Sequence, residues 1–263
     1  MSEVVPKKSL GQHWLHDDDS LGAMLAAANI QPSDTVLEIG PGLGTLTKKL
    51  AARAAQVVAV EFDEALARAL PERVSAANVR VVQQDILHFD LTQLPPGYKV
   101  AANIPYYLTS NLLRVLCESA NPFSHAALLV QKEVAERVCA RPGDMSLLSV
   151  SVQFYCEARL AEVVPAELFS PPPKVDSQIL ALSYRRKPLF PDVDVALFFR
   201  VVKAGFAQRR KTILNSLSAG LRLDRTQTTQ LLEVAGIKPT DRAQTLSLDD
   251  WHRLTQAVAA ANN

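Results

Sequence analysis

The chain has 263 residues, 48% hydrophobic and 21% charged, which is the composition of a globular protein with a sizeable core. Its net charge of +1 excludes a wholly basic surface, so any contact with nucleic acid must be made by a local patch. The three cysteines form no CxxC pair, which argues against zinc sites or disulfides and favours a cytoplasmic location. We expect neither a signal peptide nor a membrane anchor, because no apolar run is long enough.

Short β-branched runs alternate with helical patterns in the first part of the chain. The runs predict strands at 35–39, 57–61, 79–85 and 99–103, and the patterns between them predict helices at 45–54 and 63–74. Strands that alternate with helices indicate βαβ units and a parallel sheet covered on both faces. The predicted fold class is therefore α/β.

The pattern changes after residue 186. Before it, two further strand-rich stretches are predicted at 146–164 and 177–185. After it, the sequence predicts only helices, at about 194–217, 226–237 and 247–261. We therefore predict two domains, a sheet-containing domain over 1–186 and a small all-helical domain over 187–263.

The first predicted strand ends in the glycine loop EIGPGLGT, with glycines at 40, 42 and 44. Its GxGxG spacing departs from the dinucleotide fingerprint GxGxxG, which disfavours a nucleotide-dependent oxidoreductase. Glu61 ends the second strand about 20 residues on, where an acid can bind both ribose hydroxyls. Asp85 ends the third strand, where its carboxylate could accept from an adenine amino group. Singly, each feature also fits a tight turn or a helix cap.

Together these residues predict a ligand site, because the carboxyl ends of parallel strands meet at one edge of a sheet. The ligand that they imply is an adenosine with a small anionic tail, whose carboxylate suits a helix N-terminus. S-adenosylmethionine matches this description.

The fourth predicted strand runs into NIPYYLTS, which starts at Asn103. An exocyclic amine on a base is a poor nucleophile, and an amide oxygen together with a backbone carbonyl, accepting its two N–H groups, would favour a pyramidal nitrogen. Pro105 stiffens the turn that holds that carbonyl, and Tyr106 can stack on the base. Catalysis would then be mainly positioning and hydrogen-bond alignment. The alternative is an asparagine-capped turn with packed aromatic residues.

The sequence resembles the ribosomal RNA adenine dimethyltransferases of the KsgA family, and most closely the bacterial small-subunit enzymes. The matching motifs run across nearly the whole chain: KKSLGQHWL, VLEIGPGLGTLT, VVAVEFD, QQDIL, NIPYYLTS, LVQKEVAERV, FSPPPKVDS and FAQRRKTILNSL. The resemblance implies a Rossmann-like methyltransferase domain followed by a small helical domain. It also implies dimethylation of two adjacent adenosines of 16S rRNA during assembly of the small ribosomal subunit, with S-adenosylmethionine as the methyl donor.

The resemblance also implies roles for individual residues. The cofactor site would be formed by His13, Leu15, Gly40, Gly42, Glu61, Asp85 and Asn103. The target-adenine site would be formed by Asn103, Ile104, Pro105 and Tyr106. Trp14 stands where the family usually has phenylalanine, and Ile104 where leucine is common. The stretch 141–150 lacks a tyrosine-glycine pair that is expected before LSV.

A local excess of basic residues predicts contact with RNA. Between residues 174 and 211 the chain has nine basic and three acidic side chains. Phosphate contacts made by such a patch would weaken steeply with salt. The RNA-binding residues predicted from it are Lys174, Arg209, Arg210 and Lys211. A solvated helix face is the alternative, and we expect a monomer because the RNA surface must stay open.

Several other functions stay open. One is a methyltransferase that acts on large-subunit rRNA, the resistance type, or on DNA adenine. Another is an assembly factor that binds the small subunit without catalysis. His13 and His16, close to an acidic run that starts at Asp17, could suggest a metal, but a polar segment that caps the next helix is the better interpretation. We predict no metal site.

Overall fold

The structure is a computed structural model that describes residues 11–261. The beginning of the motif KKSLGQHWL, residues 7–10, lies outside the described residues. Within them the chain forms two compact units, one made of residues 11–136 and 156–184 and the other of residues 137–155 and 185–261. The chain passes for the last time from the first unit to the second between Tyr184 and Arg185. This point lies near the domain boundary predicted at 186/187, which stays a prediction. No helix among residues 11–261 is long and apolar enough to cross a membrane.

Nine strands lie within the described residues, all in the first unit. They are β1 (Trp14–Leu15), β2 (Thr35–Ile39), β3 (Gln56–Glu61), β4 (Val79–Gln83), β5 (Lys99–Asn103), β6 (His125–Gln131), β7 (Cys156–Val164), β8 (Phe169–Ser170) and β9 (Ser177–Tyr184). Seven of them form one sheet in the order β4-β3-β2-β5-β6-β9-β7, in which β2 to β6 are parallel and β9 runs antiparallel to both neighbours. The predicted α/β class and its parallel sheet are confirmed.

Five helices accompany the sheet: α1 (Asp18–Ala27), α2 (Thr45–Arg53), α3 (Glu64–Val74), α4 (Thr109–Cys117) and α5 (Lys132–Val138). On one face of the sheet, Met24 of α1, Leu50 of α2 and Val36 of β2 are fully buried in one hydrophobic cluster. Asp17 caps α1 by accepting from the Ser20 backbone N–H at 2.8 Å, as the interpretation of this segment as a helix cap predicted.

Residues 11–15, which we call the β1 segment, are held by a loop that is distant in the sequence. Strand β1 pairs antiparallel with β8, with Trp14 opposite Ser170 and Leu15 opposite Phe169. The Thr45 hydroxyl, at the start of α2, donates to the Leu15 carbonyl at 3.0 Å. The segment therefore lies beside the glycine loop that precedes α2.

The second unit is helical. Its helices are α6 (Leu147–Tyr155), α7 (Val195–Phe206), α8 (Ile213–Leu221), α9 (Arg225–Val234) and α10 (Leu248–Ala261). The prediction of strand at 146–155 is wrong: this stretch is α6, and Phe154 packs on Phe198 of α7 with ring centroids 4.7 Å apart. The single helix predicted at 194–217 is two helices, α7 and α8. The backbone N–H of Ile213, the first residue of α8, donates to the Asp241 carbonyl at 2.7 Å and not to a carbonyl of α7.

Gly205 of α7 is required by the packing of this unit. A Cβ at this position would lie 2.3 Å from the ring of Trp251, which is fully buried. We expect Gly205→Ala to lower the free energy of unfolding by about 1–3 kcal/mol through overpacking, despite the better helix propensity of alanine. Chemical denaturation measures this. Gly22→Ala in α1, where a Cβ would meet nothing within 4 Å, should instead be neutral or stabilising, and a Gly205→Ala protein as stable as wild type would contradict the prediction.

Candidate functional site

A cavity of about 220 Å³ opens at the carboxyl ends of β2 to β5, and the β1 segment forms another part of its wall. It is lined by all but one of the residues predicted for the cofactor and target-adenine sites: His13, Gly40, Gly42, Glu61, Asp85, Asn103, Ile104, Pro105 and Tyr106. A Cβ built on Gly40 would meet no atom within 4 Å, which leaves room beside the loop for a ligand. Gly42 has a φ of +57°, and its Cβ would lie 3.1 Å from the indole of Trp14, so both conformation and space favour glycine here.

Glu61 braces the glycine loop from the end of β3. Its Oε2 accepts from the Gly42 backbone N–H at 3.1 Å and its Oε1 accepts from the Asp63 backbone N–H at 2.9 Å. Burial raises the pKa of this carboxyl, while the two N–H groups act in the opposite direction. Each carboxylate oxygen has a second lone pair, so Glu61 can still accept from the two hydroxyls of a ribose.

Asp85 lies two residues beyond the end of β4 and caps the short turn that follows. Its Oδ1 accepts from the Leu87 backbone N–H at 2.9 Å, and the His88 Nδ1–H donates to Oδ2 at 3.2 Å. Asp85 is therefore fixed in orientation, and its remaining lone pairs can accept from an amino group in the cavity.

Asn103 is the last residue of β5, and its amide is oriented by the β1 segment. The Asn103 Nδ2 donates to the His13 carbonyl at 2.8 Å. This bond assigns the nitrogen of the amide to the protein and leaves Oδ1 as the acceptor that a ligand can use. The His13 ring is itself held, because its Nδ1–H donates to the Pro171 carbonyl at 2.7 Å.

The turn after Asn103 places one buried and one half-buried side chain beside it. Ile104 is buried, and its backbone N–H donates to the Leu129 carbonyl at 3.2 Å. The Tyr106 hydroxyl lies 2.9 Å from Ser177 Oγ, and its ring is roughly parallel to that of His13, with centroids 6.0 Å apart. Burial raises the pKa of Tyr106, so this hydroxyl stays protonated. The turn is thus fastened to both β9 and the β1 segment.

Some predicted residues do not line the cavity. Leu15 is buried in the core of the first unit and only its carbonyl reaches the start of α2. Lys174 is exposed in the first unit, and Arg209, Arg210 and Lys211 are exposed between α7 and α8 in the second. The sequence predictions missed apolar lining residues, including Trp14, Phe62, Ile86 and Tyr107. Their position directly beside a predicted polar site residue was the signal that could have found them.

Glu38 lies beneath the glycine loop, outside the cavity lining. It is the fourth residue of β2 and is almost completely buried. Burial raises its pKa to about 8; the Thr47 hydroxyl opposes this shift, and the charge of Glu61 adds to it. Glu38 therefore keeps its proton at neutral pH in the folded protein, which spares the loop a second buried negative charge beside Glu61.

The chain is similar to known RNA methyltransferases over almost its full length. It matches the family described as Ribosomal RNA adenine dimethylase over residues 5–260. Proteins named Ribosomal RNA small subunit methyltransferase A are 45% identical in Dehalococcoides mccartyi, over 94% of this chain and 87% of the relative. In Moorella thermoacetica the identity is 42%, over 97% of this chain and 93% of the relative.

Solved structures agree with these relatives. The crystal structure of the 23S rRNA methyltransferase ErmE has a TM-score of 0.74 at 31% identity, over 94% of this chain and 99% of that one. A dimethyladenosine transferase from Plasmodium falciparum has a TM-score of 0.79 at 26% identity, over 95% and 98%. The predicted Rossmann-like methyltransferase fold and the predicted resemblance are confirmed: this chain belongs to the ribosomal RNA adenine dimethylase family.

Proposed function

We propose that this protein transfers methyl groups from S-adenosylmethionine to the exocyclic amino groups of two adjacent adenosines of 16S rRNA in the small-subunit precursor. The observation that carries the proposal is the orientation of Asn103, whose nitrogen donates to the His13 carbonyl and whose oxygen is thereby the acceptor at the cavity. The small-subunit relatives, at 42–45% identity, favour this substrate over large-subunit rRNA.

The cavity fits the proposed cofactor. Glu61 is buried at its wall with lone pairs left for ribose hydroxyls, and the bare backbone of Gly40 borders open space. Asp85 is oriented to accept from the adenine amino group. When bound, S-adenosylmethionine supplies an electrophilic methyl group on a sulfonium. We assign Glu61, Asp85, Gly40, Gly42 and His13 to holding it.

The acceptor base would be held by the turn after β5. Asn103 Oδ1 accepts one N–H of the amine and the Ile104 carbonyl accepts the other, which directs the nitrogen lone pair away from the ring. Pro105 stiffens this turn, and Tyr106 offers its ring to the base. The base has to leave its stack to reach the cavity. The methylated ammonium is acidic, so it releases its proton without a strong base, and the protein contributes positioning.

Exposed basic residues would hold the RNA backbone. In the second unit, Arg209, Arg210 and Lys211 are exposed, and no carboxylate within the described residues 11–261 forms an ion pair with them. In the first unit Lys174 is exposed on the loop between β8 and β9. Contacts from these side chains to phosphates would make affinity for RNA depend on salt. We propose that the protein acts as a monomer.

Replacing Glu61 by glutamine tests the cofactor assignment. The substitution puts an NH₂ group where a carboxylate oxygen now accepts from a backbone N–H, and it removes the charge that ribose hydroxyls would meet. We expect affinity for S-adenosylmethionine to fall about 10- to 100-fold, the worth of a hydrogen bond to a charged group, measured by titration calorimetry. Glu64→Gln, at an exposed position on α3, should bind normally. Unchanged binding by Glu61→Gln would remove Glu61 from the site.

The proposed reaction is tested with labelled S-adenosylmethionine and four acceptors: unmethylated small subunits, large subunits, naked rRNA and DNA. We expect label only on small subunits, in two adjacent adenosines. Label on large subunits would support the resistance-type alternative instead. Association with small subunits without any transfer would identify an assembly factor and overturn the catalytic proposal.

A further inference from the structure

Tyr106 and Tyr107 are neighbours in one short turn but differ in their surroundings. The Tyr106 hydroxyl is tied to Ser177, and its ring is half-buried beside His13. Tyr107 is 66% exposed, yet it lines the same cavity. No motif in the sequence assigned a role to Tyr107, and the proposed reaction does not use it.

The exposed ring of Tyr107 lies beside Gly11, at the beginning of the described residues. A Cβ built on Gly11 would lie 3.7 Å from two atoms of the Tyr107 ring and 3.8 Å from the Pro105 side chain. The turn beneath the ring is closed by the Leu108 backbone N–H, which donates to the Pro105 carbonyl at 2.9 Å. Gly11 thus lies beside one side of the ring, while most of the Tyr107 side chain is exposed.

We propose that Tyr107 is a stacking platform for the nucleotide next to the adenosine that enters the cavity; the inference rests on the proposed function. A base that leaves a single-stranded stack exposes the face of its neighbour. An aromatic ring at the mouth of the cavity replaces the lost partner, because every base has a π-face and stacking tolerates any sequence. With two adjacent target adenosines, this neighbour is the second substrate.

The other exposed aromatic residue of the cavity lies on a different part of its wall. Phe62 is 58% exposed and directly follows Glu61, and its carbonyl accepts from Gln83 Nε2 at 3.2 Å. Its chain position places it with the residues assigned to the cofactor. Tyr107 directly follows the residue assigned to the target base. The two rings therefore predict different defects when they are removed.

Four variants separate stacking from simple bulk: Tyr107→Ala, Tyr107→Leu, Tyr107→Phe and, for comparison, Phe62→Ala. KM for unmethylated small subunits and kcat are measured by label transfer, the Kd for S-adenosylmethionine by calorimetry without RNA, and Tm by thermal unfolding. We expect Tyr107→Ala and Tyr107→Leu to raise the KM about 5- to 100-fold, with Tm and the cofactor Kd unchanged. Tyr107→Phe keeps the ring and should behave as wild type, whereas Phe62→Ala should weaken cofactor binding.

Each other outcome overturns the assignment. Equal KM values for the phenylalanine and leucine variants would show that bulk, not an aromatic face, matters. A wild-type KM for Tyr107→Ala would show that nothing stacks there. A weakened cofactor Kd in Tyr107→Ala would move the ring to the donor site. Wild-type protein that transfers no methyl group to small subunits would overturn the proposed function, and this inference with it.

Discussion

Asn103→Ala is expected to lower the rate of methyl transfer to small subunits by about 10²–10³-fold while association with the subunit persists. The loss has the size found when one preorganised hydrogen-bonding group is removed from an active site. The side chain lies at the end of β5 with its nitrogen donating to the His13 carbonyl, so its oxygen is the group that would align the acceptor amine. Single-turnover label transfer and sedimentation with subunits measure the two quantities.

Two further variants separate alignment from structure. Asn103→Asp keeps an acceptor oxygen but cannot donate to His13, so its activity should fall between those of wild type and Asn103→Ala. Asn78→Ala removes an asparagine that donates to the Ala51 and Ala54 carbonyls away from the cavity, and it should transfer methyl groups normally once folded. Normal transfer by Asn103→Ala would refute the role of the amide.

Glu38→Gln is expected to flatten the pH dependence of stability. The carboxyl of Glu38 has a pKa of about 8 in the folded protein against an ordinary value of 4.5. Between these values the unfolded chain releases the proton and the folded chain keeps it, so the stabilisation is complete below pH 4.5 and is lost as pH rises to about 8. The loss contributed by Glu38 reaches at most about 5 kcal/mol.

Glutamine has no proton to release, so the stability of Glu38→Gln relative to wild type should increase steadily from pH 5 to pH 8. Denaturant unfolding at several pH values measures the stability of both proteins. Subtracting one from the other removes the contributions of the groups that they share. Glu162→Gln, at an exposed position of β7, should give a constant difference. A constant difference for Glu38→Gln would mean that this carboxyl is ionised in the folded protein.

The sequence predicted the parts of the fold that depend on local pattern. The strands at 35–39 and 99–103 are short apolar runs between clear helical patterns, and both were found where they were predicted. The third run was predicted through 85 but ends at Gln83, because Asp85 caps a turn instead of continuing the strand. The error hardly affects the predicted location of the site, because Asp85 still lines the cavity.

The failures come from packing that local pattern does not encode. Residues 147–155 alternate in a way that suits a strand, but Phe154 is buried among the aromatic rings of the second unit and the stretch is helical. The apolar run at 125–131 was not predicted as a strand, yet β6 is an interior strand of the sheet, between β5 and β9. Short apolar runs do not distinguish a buried strand from a helix.

In the candidate site, too, the features that were predicted differ from those that depend on contacts between distant residues. Charged and glycine residues at strand ends were predictable because topology brings those ends together. The hydrogen bond from Asn103 to the His13 carbonyl was not, because it depends on where the β1 segment folds back.

The pairing of β1 with β8 has a consequence for synthesis. His13, in one wall of the cavity, is translated 158 residues before Pro171, whose carbonyl holds its ring. A nascent chain that stops before residue 169 carries the glycine loop and the NIPYY turn without the strand that holds β1. The wall of the cavity around His13 is therefore completed only after most of the first unit has been synthesised.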